Sequence, residues 1–304
     1  MLGQGDTPLV ESKSKKGLYY KNEALNPTGS FKDRGTALTA SKALEKEVEK
    51  LHICSSGNAA LSLAVYCRKA GIDCFCHVPD DTSDGKIQLM EAFGASVKEY
   101  DAIYEDIFHH LKSKNLDGWN VTPGATDIWM EAYGEIADEI LDSGVKPDQV
   151  IVPCGNGTNL AGIWKGFKSC DYEPEMIGVQ VEGSAPIKKA LEEEKDHGVV
   201  ENPAKSSAEG IIASESFNCC EAVQTIEESD GSLETVTEEE ISEGVKDLLE
   251  EGIVCEPTSA VVKPVADKFS GTTVAVITGS GLKNYAELKK IVTESQPPTS
   301  SSQL

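Results

Sequence analysis

Between residues 51 and 113, short apolar runs alternate with helix-period segments three times, and this rhythm restricts the fold more than any other feature. Residues 51–54 read as a strand, 58–70 as a helix stopped by Gly71, and 72–78 as a buried strand stopped by Pro79. Residues 84–93 read as a helix closed by Gly94, 95–100 as a strand and 104–113 as a helix. Strand–helix–strand units place neighbouring strands in parallel, so the run predicts a small parallel-sheet unit.

A second series follows the same rhythm. Helices are expected at 127–141, 160–168, 186–195, 216–228, 237–251 and 258–269, with strands at 149–153, 176–181 and 273–278. Thr237, with Glu240 three residues later, gives a capping box for one of these helices. The unbroken Val-Ala-Val-Ile run of the last strand suits the centre of a parallel sheet. Upstream, residues 17–22 read as a strand and 31–50 as a helix with an apolar stripe at Ala37, Ala40, Leu44 and Val48. Residues 196–207 read as a polar loop, and the tail from residue 291, Ser/Pro/Gln-rich at 295–304, as disordered. The fold class is therefore α/β, with two open parallel-sheet lobes.

Composition excludes several functions. A formal net charge of -23 over 304 residues repels nucleic acid and anionic membranes alike, so neither is an expected partner. No apolar run is long enough to span a bilayer. Nine cysteines without a C-x-x-C pair argue against a structural zinc site, and the odd count with no signal peptide points to reduced thiols in a cytoplasm. His109-His110 has no carboxylate or cysteine at ligand spacing, so no metal site is expected.

The most informative stretch is Asn26-Pro27-Thr28-Gly29-Ser30-Phe31-Lys32-Asp33-Arg34-Gly35. Pro27 and Gly29 mark a tight turn, and Ser30 is placed to cap the following helix. Lys32 then falls in the first turn of that helix, where a cation opposes the helix dipole. Local stability does not explain such a lysine. The stretch alone leaves two readings open: a solvated surface lysine, or an amine that desolvation makes nucleophilic, as Schiff-base chemistry requires. Asp33 and Arg34 read as a charged pair on an exposed helix turn without a catalytic role.

Three further polar, glycine-bearing loops each follow a strand-like run: Ser55-Ser56-Gly57-Asn58, Gly155-Asn156-Gly157-Thr158-Asn159, and Thr278-Gly279-Ser280-Gly281-Leu282-Lys283. In the second, glycines let backbone N–H groups close on an anion at a helix start. With Lys32, these loops in this order resemble the pyridoxal-phosphate (PLP) enzymes of the tryptophan-synthase-β fold type over about residues 5–286. The lysine motif and final loop look most like threonine synthase.

That resemblance implies PLP in the cleft between two lobes, with residues 1–47 and 125–290 forming the large cofactor-binding domain and 48–124 a small mobile one. It implies that Lys32 carries the cofactor and is the catalytic amine. Gly155, Asn156, Gly157, Thr158 and Asn159 would cradle its phosphate, Asn58 would contact its 3'-oxygen, and Thr278 would face its pyridine nitrogen. Ser55, Ser56 and Asn58 would hold the substrate carboxylate, with Thr28 and Ser30 as further substrate donors. The implied reaction converts O-phosphohomoserine and water to threonine and phosphate, in a homodimer acting on a small amino acid.

One segment departs from the family pattern. Aligned on Glu131, Trp129 stands where threonine synthases carry a phosphate-gripping arginine, and the substrate is expected to pass beside it. The rivals are β-elimination or β-replacement on serine, threonine or O-phosphoserine, as in dehydratases and cysteine synthases, and a non-catalytic PLP or amino-acid binding module.

Overall fold

The computed structural model describes residues 2–294. The chain opens with β1 (Leu9–Glu11), β2 (Leu18–Asn22) and α1 (Lys32–Glu45). There follow β3 (Lys50–Cys54), α2 (Asn58–Ala70), β4 (Asp73–Pro79), α3 (Asp84–Ala92), β5 (Ser96–Tyr100), α4 (Tyr104–Ser113) and β6 (Trp119–Asn120). Next come α5 (Ile128–Tyr133), α6 (Glu135–Asp142), β7 (Gln149–Pro153), α7 (Thr158–Ser169), β8 (Glu175–Val181) and α8 (Pro186–Glu192). The last elements are α9 (Cys219–Glu228), β9 (Ser232–Val236), α10 (Glu238–Glu250), α11 (Pro257–Ala260), α12 (Val262–Ala266), β10 (Thr273–Ile277) and α13 (Tyr285–Glu294).

The strands form two sheets, one ordered β1-β2-β10-β7-β8-β9 and the other β5-β4-β3-β6. Every neighbouring pair is parallel except β1 on β2. All five residues of β10 are buried, as its β-branched run requires, and Thr273 registers with Leu18 on one side and Gln149 on the other. One apolar cluster joins the two sheets, from Leu51 and Ile53 through Trp129 and Tyr133 to Val150 and Phe167. Among the described residues no helix is long and apolar enough to cross a membrane.

Where punctuation residues were clear, boundaries follow the sequence. Gly71 ends α2 in the left-handed region at φ 72, and the Thr237–Glu240 capping box opens α10. Other expectations change. The helix expected at 31–50 stops at Glu45, because Glu47 turns left-handed at φ 54 to start β3 at Lys50, and Leu44 is 50% exposed. The helix expected at 127–141 divides into α5 and α6 at Gly134, where a Cβ on Gly166 of α7 would stand 2.3 Å from the Gly134 carbonyl. That expected at 258–269 divides into α11 and α12, and β6, β9 and α13 had no clear signal. A disordered tail is expected from residue 291, but α13 continues to Glu294, and residues 295–304 lie outside the described residues.

Candidate active site

The larger sheet sets three of the four sequence motifs along one edge. β2, β10 and β7 are adjacent and parallel, and their C-terminal ends lead into the lysine motif, the Thr278 loop and the Gly155–Asn159 loop. Ligands bind at that edge of open parallel sheets. The fourth loop, Ser55–Asn58, follows β3 of the smaller sheet.

Three of the motifs touch. The Phe31 amide donates to the Thr278 carbonyl at 2.9 Å, and the Ser280 amide to the Gly29 carbonyl at 2.8 Å. Lys283 Nζ donates to Asn58 Oδ1 at 2.6 Å. Asn58 Nδ2 donates to the Glu256 carboxylate at 3.0 Å. The Gly155–Asn159 loop reaches the smaller lobe through Asn156 Nδ2, which lies 3.4 Å from the Tyr104 hydroxyl.

The turn before Lys32 is closed differently from the expectation. Ser30 makes no cap bond to α1, whose N-cap is Phe31, and its buried Oγ has no partner among the described residues. Asp33 ties the turn instead, accepting from the Thr28 amide at 2.6 Å, the Thr28 hydroxyl and the Ser62 hydroxyl. Thr28 thus gives both its protons to Asp33 and has none left for a substrate anion. Asp33 and Arg34 are buried, not exposed as their charges suggested. Arg34 donates to Glu23 at 2.8 Å and to Glu139 at 2.7 Å, which anchors α1 to α6. A guanidinium can be buried only with such partners.

Lys32 is the first residue of α1. Its amine stands 4.3 Å from the Phe31 ring centroid, 6.0 Å from that of Trp129 and 5.9 Å from that of Tyr133. Burial among these rings lowers its pKa to about 8, against an opposing pull from Glu256. Glu256 and Ser259 belong to this site and were missed in the sequence. Burial raises the Glu256 carboxyl, while Lys283, the Asn58 bond and Lys32 pull it down. The Ser259 hydroxyl lies 2.9 Å from that of Thr278 and accepts the Gly279 amide at 2.8 Å, so it orients the strand-end threonine. The only local signal was a Glu-Pro pair opening a short helix.

Gly157 stands at the head of α7 with φ 84, and a Cβ there would lie 2.6 Å from the Asn218 carbonyl. The Thr158 hydroxyl donates to Asn218 Oδ1 at 2.7 Å, which leaves its backbone N–H at the helix start. Asn159 is 7% exposed, yet neither Oδ1 nor Nδ2 of its carboxamide has a partner among the described residues. A buried amide without partners costs free energy unless a ligand meets it. The free head of a twelve-residue helix, that amide and an amine of lowered pKa fit a phosphorylated carbonyl cofactor. Ser55 and Ser56 are half-buried at the head of α2, where Ser55 Oγ accepts the Gly57 amide at 3.2 Å.

Trp129 has no exposed surface to offer a substrate passing beside it. It is fully buried, its indole N–H donates to the Val121 carbonyl at 2.6 Å, and its ring packs on Gly35. The sequence holds two arginines, Arg34 and Arg68. Arg34 is spent on glutamates, and Arg68 Nη1 lies near Gly94 at the far end of α2. Positive charge around Glu256 therefore comes from lysines: Lys32, Lys283 and Lys86 all act on it. Lys86 also bridges the lobes to Glu209 at 2.9 Å.

Residues 1–279 match the family model described as pyridoxal-phosphate dependent enzyme. The chain is 34% identical to the threonine synthase of Methanocaldococcus jannaschii, over 93% of this chain and 76% of that protein. It is 35% identical to the threonine synthase of Methanosarcina acetivorans, over 85% of this chain and 68% of that protein. Among solved structures it superposes on a T.th. threonine deaminase with a TM-score of 0.78 at 27% identity, covering 90% of this chain and 92% of that one. A fungal L-serine ammonia-lyase from Rhizomucor miehei shares the fold alone, at TM-score 0.79 and 20% identity, over 94% of this chain and 98% of that one. With its cleft, its lysine and its α/β architecture accounted for together, this chain belongs to the pyridoxal-phosphate dependent enzymes of the tryptophan-synthase-β fold type.

Proposed function

We propose that the protein is a threonine synthase that converts O-phosphohomoserine and water to threonine and phosphate. The observation that carries the reading is the meeting of the lysine motif, the Asn58 loop and the Thr278 loop around one amine of lowered pKa. The likeness to threonine synthases over most of the chain supports it.

Lys32 would hold PLP, which when bound supplies the electron withdrawal that makes protons on substrate carbons acidic. The Lys32 amine then takes and returns those protons. The backbone N–H groups of Gly155–Asn159 and the Asn159 amide would bind the cofactor phosphate. Thr278, oriented by Ser259, would face the pyridine nitrogen as a neutral partner, and Asn58 would meet the 3'-oxygen. Ser55, Ser56 and the head of α2 would receive the substrate carboxylate. For the substrate phosphate, the reading assigns Lys86, whose ammonium is half-exposed beside the cleft. Residues 48–124 would move as the small domain, in a homodimer working in a cytoplasm where the nine free cysteines stay reduced.

A second reading is elimination on serine or threonine. The specific observation favouring it is the absence of a free arginine near the cleft, since lysine grips a dianion less well than a bidentate guanidinium. Product analysis separates the two. PLP-loaded protein given O-phosphohomoserine should release phosphate and threonine in equal amounts, and Lys86→Met should raise KM more than it lowers kcat. Keto acid from serine or threonine, with no threonine from O-phosphohomoserine, would replace the first reading by the second.

A further inference from the structure

Lys283 is the last residue of the final glycine loop, in a short 3-10 turn spanning Gly281–Asn284 that Ser280 caps by accepting the Leu282 amide. Its side chain runs back under the lysine motif. A Cβ on Gly29 would stand 3.4 Å from Lys283 Cε and 3.6 Å from Nζ, so the lysine side chain packs directly against the Gly29 backbone. The ammonium sits among Asn58, Glu256 and Asp33.

The chemistry of these partners fixes the Asn58 carboxamide. An ammonium can only donate, so the atom 2.6 Å from Lys283 Nζ must be Oδ1. An ionised carboxylate can only accept, so the atom facing Glu256 at 3.0 and 3.2 Å must be Nδ2. Two independent constraints choose the same orientation. Without Lys283, Oδ1 would lose its donor and only the Glu256 contact would hold the amide in this orientation. Glu256 would also lose the cation that opposes its burial most strongly.

We infer that Lys283 is a positioning residue for the cofactor: together with Glu256 it holds Asn58 so that the amide N–H not given to Glu256, and not the acceptor Oδ1, is offered to an oxyanion in the cleft. The inference rests on the proposed contact between Asn58 and the 3'-oxygen of PLP. It adds that the contact is set from behind by a lysine and that Lys283 acts through Asn58.

The test is a double-variant cycle read by PLP dissociation constants from absorbance titration, with melting temperature recorded alongside. Lys283→Met and Asn58→Ala should each weaken PLP binding roughly tenfold, the loss of one charge-assisted contact. The double variant should bind no worse than Asn58→Ala alone, because Lys283 has nothing left to position. Lys283→Arg, which keeps charge and donors, should recover most of the affinity. Unchanged affinity in Lys283→Met, or losses that multiply in the double variant, would overturn the inference while leaving Asn58 in place. Unchanged affinity in Asn58→Ala would overturn the assignment of Asn58 and this inference with it. Should Lys283→Met melt below the working temperature, Lys283→Ala carries the same cycle with the same outcomes.

Discussion

The ring of Trp129 fills the space that a side chain on Gly35 would need: an ideal Cβ there would stand 2.1 Å from the indole. This contact seats α5 on α1 one turn beyond Lys32, so it places the amine as well as the core. Trp129→Arg would put a cation into a fully buried site whose polar partner is a single carbonyl. The expected cost is about 3–5 kcal/mol or more, from lost packing plus an unpaired charge. Urea denaturation should show the fall in midpoint, and turnover of O-phosphohomoserine should not rise. A stable variant with improved turnover would mean that residue 129 can face the substrate.

Lys32 should behave as an amine of pKa about 8 in the cofactor-free protein, because burial opposes its charge. Its acylation rate, followed by peptide mass against pH, should therefore rise with a midpoint near that value. Glu256 pulls the pKa upward, so Glu256→Gln should move the midpoint lower still. A midpoint near 10.5, the ordinary value for lysine, would show that the amine is solvated.

Asn159 offers a separation of binding from folding. Its amide is buried without a partner among the described residues, so Asn159→Ala removes a group whose desolvation is uncompensated in the cofactor-free protein. Cofactor-free Asn159→Ala should melt no lower than wild type, while its PLP affinity falls roughly tenfold. Gly157→Val would not separate the two, since its Cβ would also collide with Asn218 and Ala222. Unchanged PLP affinity in Asn159→Ala would remove that side chain from the phosphate cradle.

His77 should make the smaller sheet acid-sensitive. Burial, with His52, Lys98 and His110 nearby, lowers its pKa from 6.5 to about 4. It lies between His52, whose Nδ1 is 3.1 Å from its Nε2, and the Tyr100 hydroxyl at 2.8 Å. Between those pH values the unfolded chain takes up a proton that the folded chain refuses. Stability should fall as pH drops through that window and draw no further loss from this group below it. His77→Gln, which keeps a donor and an acceptor without titrating, should flatten the slope of melting temperature between pH 6.5 and 4. An unaltered slope would place the sensitivity elsewhere.

How much of this was legible beforehand depended on how local the signal was. Gly71, Pro79 and the Thr237–Glu240 pair punctuate the chain through neighbouring residues, and the elements they bound appear where expected. The four motifs were legible because phosphate and carbonyl chemistry need particular residue types in a row. Burial was not legible at Asp33 and Arg34. Their partners, Glu139 and Ser62, are far away in sequence and meet them only in the folded chain. Glu256, Ser259 and Lys283 gained their positions in the same way, by the approach of α11 and the final loop to Asn58 and Thr278. Strand β9 went unread because Ser232, Glu234 and Thr235 interrupt its apolar pattern, although it pairs in parallel with β8 from Ser232 to Val236.

The central claim is that Lys32, and no other lysine of the cleft, carries the cofactor. Borohydride reduction of PLP-loaded protein, followed by peptide mapping, tests it most directly. The cofactor's mass is expected on the peptide containing Lys32, with loss of the visible absorbance band. Label on Lys283 or Lys86 instead, or unlabelled protein that never took up PLP, would contradict the account.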